Sequence, residues 1–191
     1  LKLLNWYRSV LMHRRFLMRN RKMWEVGKIS GAVGTHTHLN PEIEEIVGRM
    51  LRIEMARVST QIVSREGFAY LMAGLSSIAS SIGKFAGDIE HLSSTEVQEV
   101  FESHGSGKTG SSAMPHKSLP EFANANKCER LRSLAKVVRA NALIASENID
   151  IRHEQDLTQS ASERIIVAGS LVLVDYMLDL FTRVIKEMRV D

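Results

Sequence analysis

Residues 105–117 read Gly-Ser-Gly-Lys-Thr-Gly-Ser-Ser-Ala-Met-Pro-His-Lys. A backbone this rich in Gly and Ser can turn several N–H groups toward one point and cradle an anion. Lys117 adds an ammonium, and Ser111 and Ser112 add hydroxyls. A hydroxyl freed of its proton by such surroundings can act as a base or nucleophile. Gly107-Lys108-Thr109 looks like the end of a Walker A loop, but that motif needs Gly five residues earlier, where Glu102 stands. A nucleotide P-loop is therefore excluded. His36-Thr37-His38 places two imidazoles one residue apart, a spacing that suits a strand better than a loop ligand pair. No metal site is expected from them. Cys128 is the sole cysteine, which rules out a disulfide framework and a Cys-rich zinc site.

The elements that must position these residues read as helices. The chain has 191 residues, 25% charged and 44% hydrophobic, with a net charge of +3. That is ordinary for a folded domain and too mild to argue for nucleic-acid binding. The basic residues of the first helix, from Arg8 to Lys22, read as a solvated or inter-subunit face. Leu3, Leu4, Tyr7, Val10, Leu11, Leu17 and Met18 recur at the helix period and predict a helix to about Val26. Asn40-Pro41 starts a second, with Asn40 as N-cap and Glu42, Glu44 and Glu45 at the positive end. It is expected to run to about Val58. A third covers about Arg65 to Leu92, and Thr95 to Phe101 reads as a short helical turn. A polar loop spans Glu102 to Leu119, a fourth helix runs from near Pro120 to near Glu147, and a fifth from near Ser160 to about Met188. Ser160 and Glu163 suggest a capping box for that last helix.

Three of the five segments exceed 24 residues and would each span roughly 42 Å. Helices of that length fit a bundle. The last is apolar on most of its surface between Ile165 and Leu180, so it should be covered from several sides. Its strongly apolar run, Ile165 to Val174, falls short of the roughly 20 residues of a membrane span. No membrane association is expected. The chain opens Leu1-Lys2-Leu3 without a signal-peptide pattern and ends inside a helical pattern, which suggests a piece of a longer, cytoplasmic protein.

Gly110-Ser-Ser-Ala-Met-Pro-His-Lys117 closely resembles the G-S-S-x-M-P-x-K signature of the fumarase/aspartase superfamily. Gly27-Lys-Ile-Ser-Gly-Ala-Val-Gly-Thr35 and His153-Glu-Gln-Asp-Leu-Thr-Gln-Ser160, followed by Glu163-Arg164-Ile165, narrow the resemblance to the adenylosuccinate lyase family. The resemblance covers nearly the whole chain and implies the central helical domain, residues 1–191, without the N-terminal and C-terminal domains. It implies an all-α fold: a bundle of about five helices, most of them long, joining a multi-subunit helical core, a tetramer with shared active sites. The implied reaction is elimination of fumarate from succinyl-purine nucleotides, with no cofactor. Ser111 would take the proton, Lys117 would stabilise the developing carboxylate charge, and Glu129 would support the catalytic His. Thr35, Ser112, Met114, Arg130, Gln155, Ser160 and Arg164 would bind substrate. The general-acid His falls in a segment before Leu1, so residues 1–191 alone are expected to be inactive.

Departures from the family pattern leave rivals open. The Asn expected two residues after Lys117 is Leu119, and the Glu expected seven after it is Asn124. Cys128-Glu129-Arg130-Leu131 matches the Glu-Arg segment displaced by five residues, as an insertion between Pro120 and Cys128 would produce. Gln155 replaces an Arg and cannot supply its bidentate charge. These changes would also suit a catalytically silent helical scaffold. Another superfamily lyase, such as argininosuccinate lyase or a carboxymuconate cycloisomerase, is the third reading; Ala113 and the Glu154-to-Arg164 segment favour the adenylosuccinate branch.

Overall fold

The computed structural model describes residues 1–103, 111–114 and 124–191. Five α-helices dominate them: α1 Lys2–Asn20, α2 Pro41–Leu51, α3 Glu66–Leu92, α4 Asn126–Glu147 and α5 Ser160–Glu187. The all-α expectation holds. Strand pairing among the described residues is confined to two short ladders. Val26–Gly27 (β1) pairs in parallel with Glu54–Met55 (β2), and Val100–Phe101 (β3) pairs antiparallel with Arg189–Val190 (β4).

Several boundaries move for local reasons. The first helix stops at Asn20 and tightens into a 3₁₀ turn over Arg21–Met23, because Val26 and Gly27 are drawn into the β1–β2 ladder. The second starts as read: Asn40 Oδ1 accepts from Glu42 N at 3.0 Å, with Pro41 as the first helical residue. It ends at Leu51, short of Val58, where Arg52 turns left-handed (φ 56°) and Ile53 N donates back to Gly48 O. Turns at Ser94–Gln98 match the expected helical turn, but Val100 and Phe101 are extended. The chain ends in β4, not in a continued helix. The expected fourth-helix start at Pro120 lies outside the described residues.

Two compact units make up the chain. The first comprises Leu1–Val10, Ser76–Arg139 and Leu171–Asp191. Its core is built from 3–4 spacings: Ile82, Phe85, Ala86 and Ile89 from α3, Leu131, Ala135 and Val138 from α4, and Val174, Met177, Leu180 and Val184 from α5. Trp6 stacks on Phe85 at 4.8 Å between ring centroids, and Phe181 tilts against both. In α1 it is Trp6 that is buried, while Leu3, Leu4, Tyr7 and Val10 of the expected apolar stripe stay exposed.

The second unit comprises Leu11–Leu75 and Ala140–Ser170. Ala69, Met72 and Leu75 form its α3 stripe, joined by Ala145 and Ile166. Gly67 and Gly74 let α3 be approached closely: a Cβ on Gly67 would stand 2.1 Å from Met23 O. Ser170, fully buried, accepts from Asn141 Nδ2 at 2.9 Å.

By length and composition α5 could cross a membrane, a test that the unbroken run Ile165–Val174 did not reach. The core helix of a soluble protein passes the same test. Ile166 and Ser170 are buried in the second unit and Val174, Met177, Leu180 and Val184 in the first. On its other side, Ile165 and Val172 are 73% and 69% exposed. The covering expected around α5 is thus partial within one chain.

Candidate active site

In the second unit, the glycine-rich loop after β1 is fastened from inside. Glu44, a buried carboxylate on α2, accepts from Ile29 N at 2.7 Å and pairs with His36 Nε2 at 3.1 Å. His36 N donates to Ser30 O, closing residues 30–36 into a compact turn, with His36 itself left-handed (φ 54°). Glu44 is therefore the acidic neighbour of His36 that the sequence did not suggest. Among the described residues no group of three or more His, Cys, Asp or Glu could hold a metal ion. Gly34 (φ 82°) lies so close to the next segment that a Cβ would meet Ser59 O at 2.0 Å. Thr35 follows it, exposed, with its hydroxyl 2.6 Å from that of Thr37.

The connector between α2 and α3 touches this loop and the segment that leads into α5. Ser59 Oγ lies 2.8 Å from Ser30 Oγ, and Lys28 Nζ donates to Gly31 O and to Gln61 O. Thr60 Oγ1 donates to Glu154 O at 2.7 Å, and Gln61 N donates to the same oxygen. Sequence reasoning missed Ser59, Thr60 and Gln61. Their only signal was a polar run between two helices, the kind of loop that carries function on a rigid scaffold.

Beyond Glu154, the Asp156 carboxylate accepts from the Thr158 hydroxyl and from the N–H groups of Thr158 and Arg152. The Thr158 hydroxyl first, and then these N–H groups, hold Asp156 below the usual carboxylate range. Gln155 and Ser160 are half-buried and Arg164 is exposed one turn into α5. The expected capping box is replaced: Glu163 turns to Arg65, 3.0 Å away, in a largely buried ion pair. Arg65 also donates to Val63 O and lies over the Phe68 ring. Ser160 and Arg164 remain at the α5 N-terminus, where backbone N–H groups and the helix dipole favour an anion.

In the first unit, Ser111 is half-buried, and its Oγ accepts from Ala113 N at 3.2 Å and Met114 N at 3.3 Å. Hydrogen bonds of this kind favour negative charge on the oxygen that receives them. Ser112 and Met114 are exposed beside it. Lys117 and Leu119 lie outside the described residues. Glu129 and Arg130 are exposed on the first turn of α4, and Arg130 Nη1 donates to the Tyr176 hydroxyl at 3.0 Å.

That first turn is held by Glu102, the residue that spoils the Walker pattern. Its buried carboxylate accepts from Lys127 N and Cys128 N, each at 3.0 Å, satisfying N–H groups that a helix start leaves open. Lys127 Nζ donates to Ser103 O at 2.8 Å. Burial, then the Glu102 charge beside it, pushes the Cys128 thiol far up. Both causes disfavour the thiolate, the reactive form of a cysteine.

Known proteins resemble this chain over its full length. It is 41% identical to the adenylosuccinate lyase of Aquifex aeolicus (strain VF5) over 191 residues, which is 100% of this chain and 43% of that protein. It is 39% identical over 189 residues to the adenylosuccinate lyase of Staphylococcus saprophyticus, covering 99% of this chain and 43% of the relative. The chain thus spans less than half the length of these curated relatives. Among solved structures, the 3-carboxy-cis,cis-muconate lactonizing enzyme from Pseudomonas putida superposes with a TM-score of 0.85 at 27% identity, covering 100% of this chain and 42% of its own. A fumarate lyase from Mesorhizobium sp. BNC1 shares the fold, with a TM-score of 0.82 at 20% identity over 99% of this chain and 40% of its own. The family model described as Lyase matches residues 1–140, and the chain belongs to that lyase family.

Proposed function

We propose that the full-length protein is an adenylosuccinate lyase. It eliminates fumarate from adenylosuccinate to leave AMP, and from SAICAR to leave AICAR, in cytoplasmic purine nucleotide biosynthesis. The observation that carries this reading is the 41% identity to an adenylosuccinate lyase along the whole chain. The muconate-enzyme likeness supports the shared fold, and at 27% identity it argues less for that chemistry.

The chemistry asked of the site is specific. The proton to be removed sits on a carbon beside a carboxylate and is weakly acidic. As it leaves, charge develops on that carboxylate and needs donors already in place. Ser111 takes the proton, its oxygen supported by the N–H groups of Ala113 and Met114. Lys117 answers the charge on the carboxylate. The carbon–nitrogen bond then breaks, its electron pair goes to the departing nitrogen (the purine amine of AMP or the carboxamide of AICAR), and fumarate gains its double bond. A general acid contributed by sequence outside these residues protonates that nitrogen. Glu129 supports the catalytic His, and Arg130 binds a substrate carboxylate or phosphate. Ser112 and Met114 line the substrate beside Ser111. Thr35, Gln155, Ser160 and Arg164 hold the nucleotide, with its phosphate against the start of α5. No metal or cofactor enters this scheme.

A homotetramer with active sites shared between subunits completes the proposal. Exposed apolar side chains on α1 and α5, among them Leu4, Tyr7, Ile165 and Val172, support burial between copies. An ultraviolet assay of the full-length protein tests the function. Adenylosuccinate should yield AMP and fumarate, and argininosuccinate should not react. No turnover of any succinyl compound would favour the silent scaffold.

A further inference from the structure

Resting on the lyase reading, we propose that Lys28 and Thr60 are positioning residues that fix the loop bearing Thr35 and the segment bearing Gln155 to one connector, and so set nucleotide affinity.

Three stretches far apart in sequence meet in the second unit. The Lys28 ammonium donates to Gly31 O at 2.5 Å within its own loop and to Gln61 O at 2.7 Å in the connector. Thr60 Oγ1 donates to Glu154 O at 2.7 Å, and the neighbouring Gln61 N donates to that oxygen at 3.3 Å. Ser59 closes the set, with its hydroxyl on Ser30 and its carbonyl against Gly34. Ser59, Thr60 and Gln61 therefore act as a hub between the two segments.

A hub of this kind controls binding more than chemistry. Neither Lys28 nor Thr60 is assigned a substrate contact. Each instead restrains backbone that carries one, and small misplacements of binding groups are expensive. The bonds end on main-chain carbonyls, so they specify where the segments run whatever side chains those segments carry.

The test uses the full-length protein with Thr60→Val, Thr60→Ser and Lys28→Met. Thr60→Val keeps the shape and removes the donor; Thr60→Ser restores it. The expected result is a KM for adenylosuccinate raised about tenfold by Thr60→Val, with kcat within about threefold of wild type, and recovery in Thr60→Ser. Lys28→Met should shift KM in the same direction. Hydrogen exchange without nucleotide should quicken over residues 152–158 in Thr60→Val and over 29–36 in Lys28→Met. Wild-type KM in both Thr60→Val and Lys28→Met overturns the proposal, even if exchange quickens, because the hub would then be structural only. If the wild-type protein does not turn over adenylosuccinate, the lyase reading fails by itself. AMP binding measured by calorimetry then decides the hub: weaker binding in Thr60→Val, restored in Thr60→Ser, supports it, and unchanged binding overturns it.

Discussion

The two units hold their candidate residues in different ways. In the second, Thr35, Gln155, Ser160 and Arg164 sit on backbone tied down by Glu44, Ser59, Thr60, Lys28 and the Arg65–Glu163 pair. In the first, Glu129 and Arg130 stand exposed on a helix start whose first turn is fastened by Glu102, and Arg130 is tied by one bond, to the Tyr176 hydroxyl. The contrast teaches where preorganisation has been placed. Groups assigned to hold the nucleotide are set by the chain itself. On the first turn of α4, Glu129 and Arg130 face solvent.

The sharpest way to break the second unit is at Gly34. Gly34→Ala drives a Cβ into the Ser59 carbonyl in a left-handed backbone, and neither can yield cheaply. A loss of about 3 kcal/mol or more is expected in denaturant unfolding of the full-length protein. Glu163→Ala comes next. It leaves the Arg65 guanidinium, only 13% exposed, without its carboxylate. Stability should fall by about 2 kcal/mol, because Arg65 keeps its bond to Val63 O and its place over Phe68.

Arg164→Met should leave the fold intact, since Arg164 is exposed. Its KM for adenylosuccinate should rise about tenfold or more, as loss of a phosphate partner predicts. The smallest effect is acid sensitivity. The Asp156 carboxyl lies lower in the folded chain than in the unfolded one, because the Thr158 hydroxyl and nearby N–H groups favour its charged form. Its stabilising contribution is therefore complete above about pH 4 and is lost as pH falls through the folded value. Asp156→Asn should flatten the low-pH decline in melting temperature slightly.

Much of this was legible in the residues. The spacing of Met72, Leu75, Ile82 and Phe85 located α3 to within a residue of its start, and Asn40-Pro41 located the start of α2. Helix periodicity is a local property, so it survives in the sequence. The end of α2 did not, because Arg52 turns left-handed where Met55 packs on Gly48 and pairs with Gly27, contacts between residues brought together by folding. Glu163 followed the same logic. Its spacing from Ser160 suggested a cap, and the guanidinium of Arg65, far away in sequence, took it instead. In the site, the signature pointed to Ser111, but nothing local pointed to Glu102, Thr60 or Lys28, whose roles exist only once distant backbone is adjacent.

The most direct measurement is turnover of adenylosuccinate by the full-length protein carrying Ser111→Ala, followed by ultraviolet absorbance beside the wild type. Removal of the proposed proton acceptor should lower kcat by about 100-fold or more while KM stays close to wild type. A Ser111→Ala protein that releases AMP and fumarate at the wild-type rate would contradict the account.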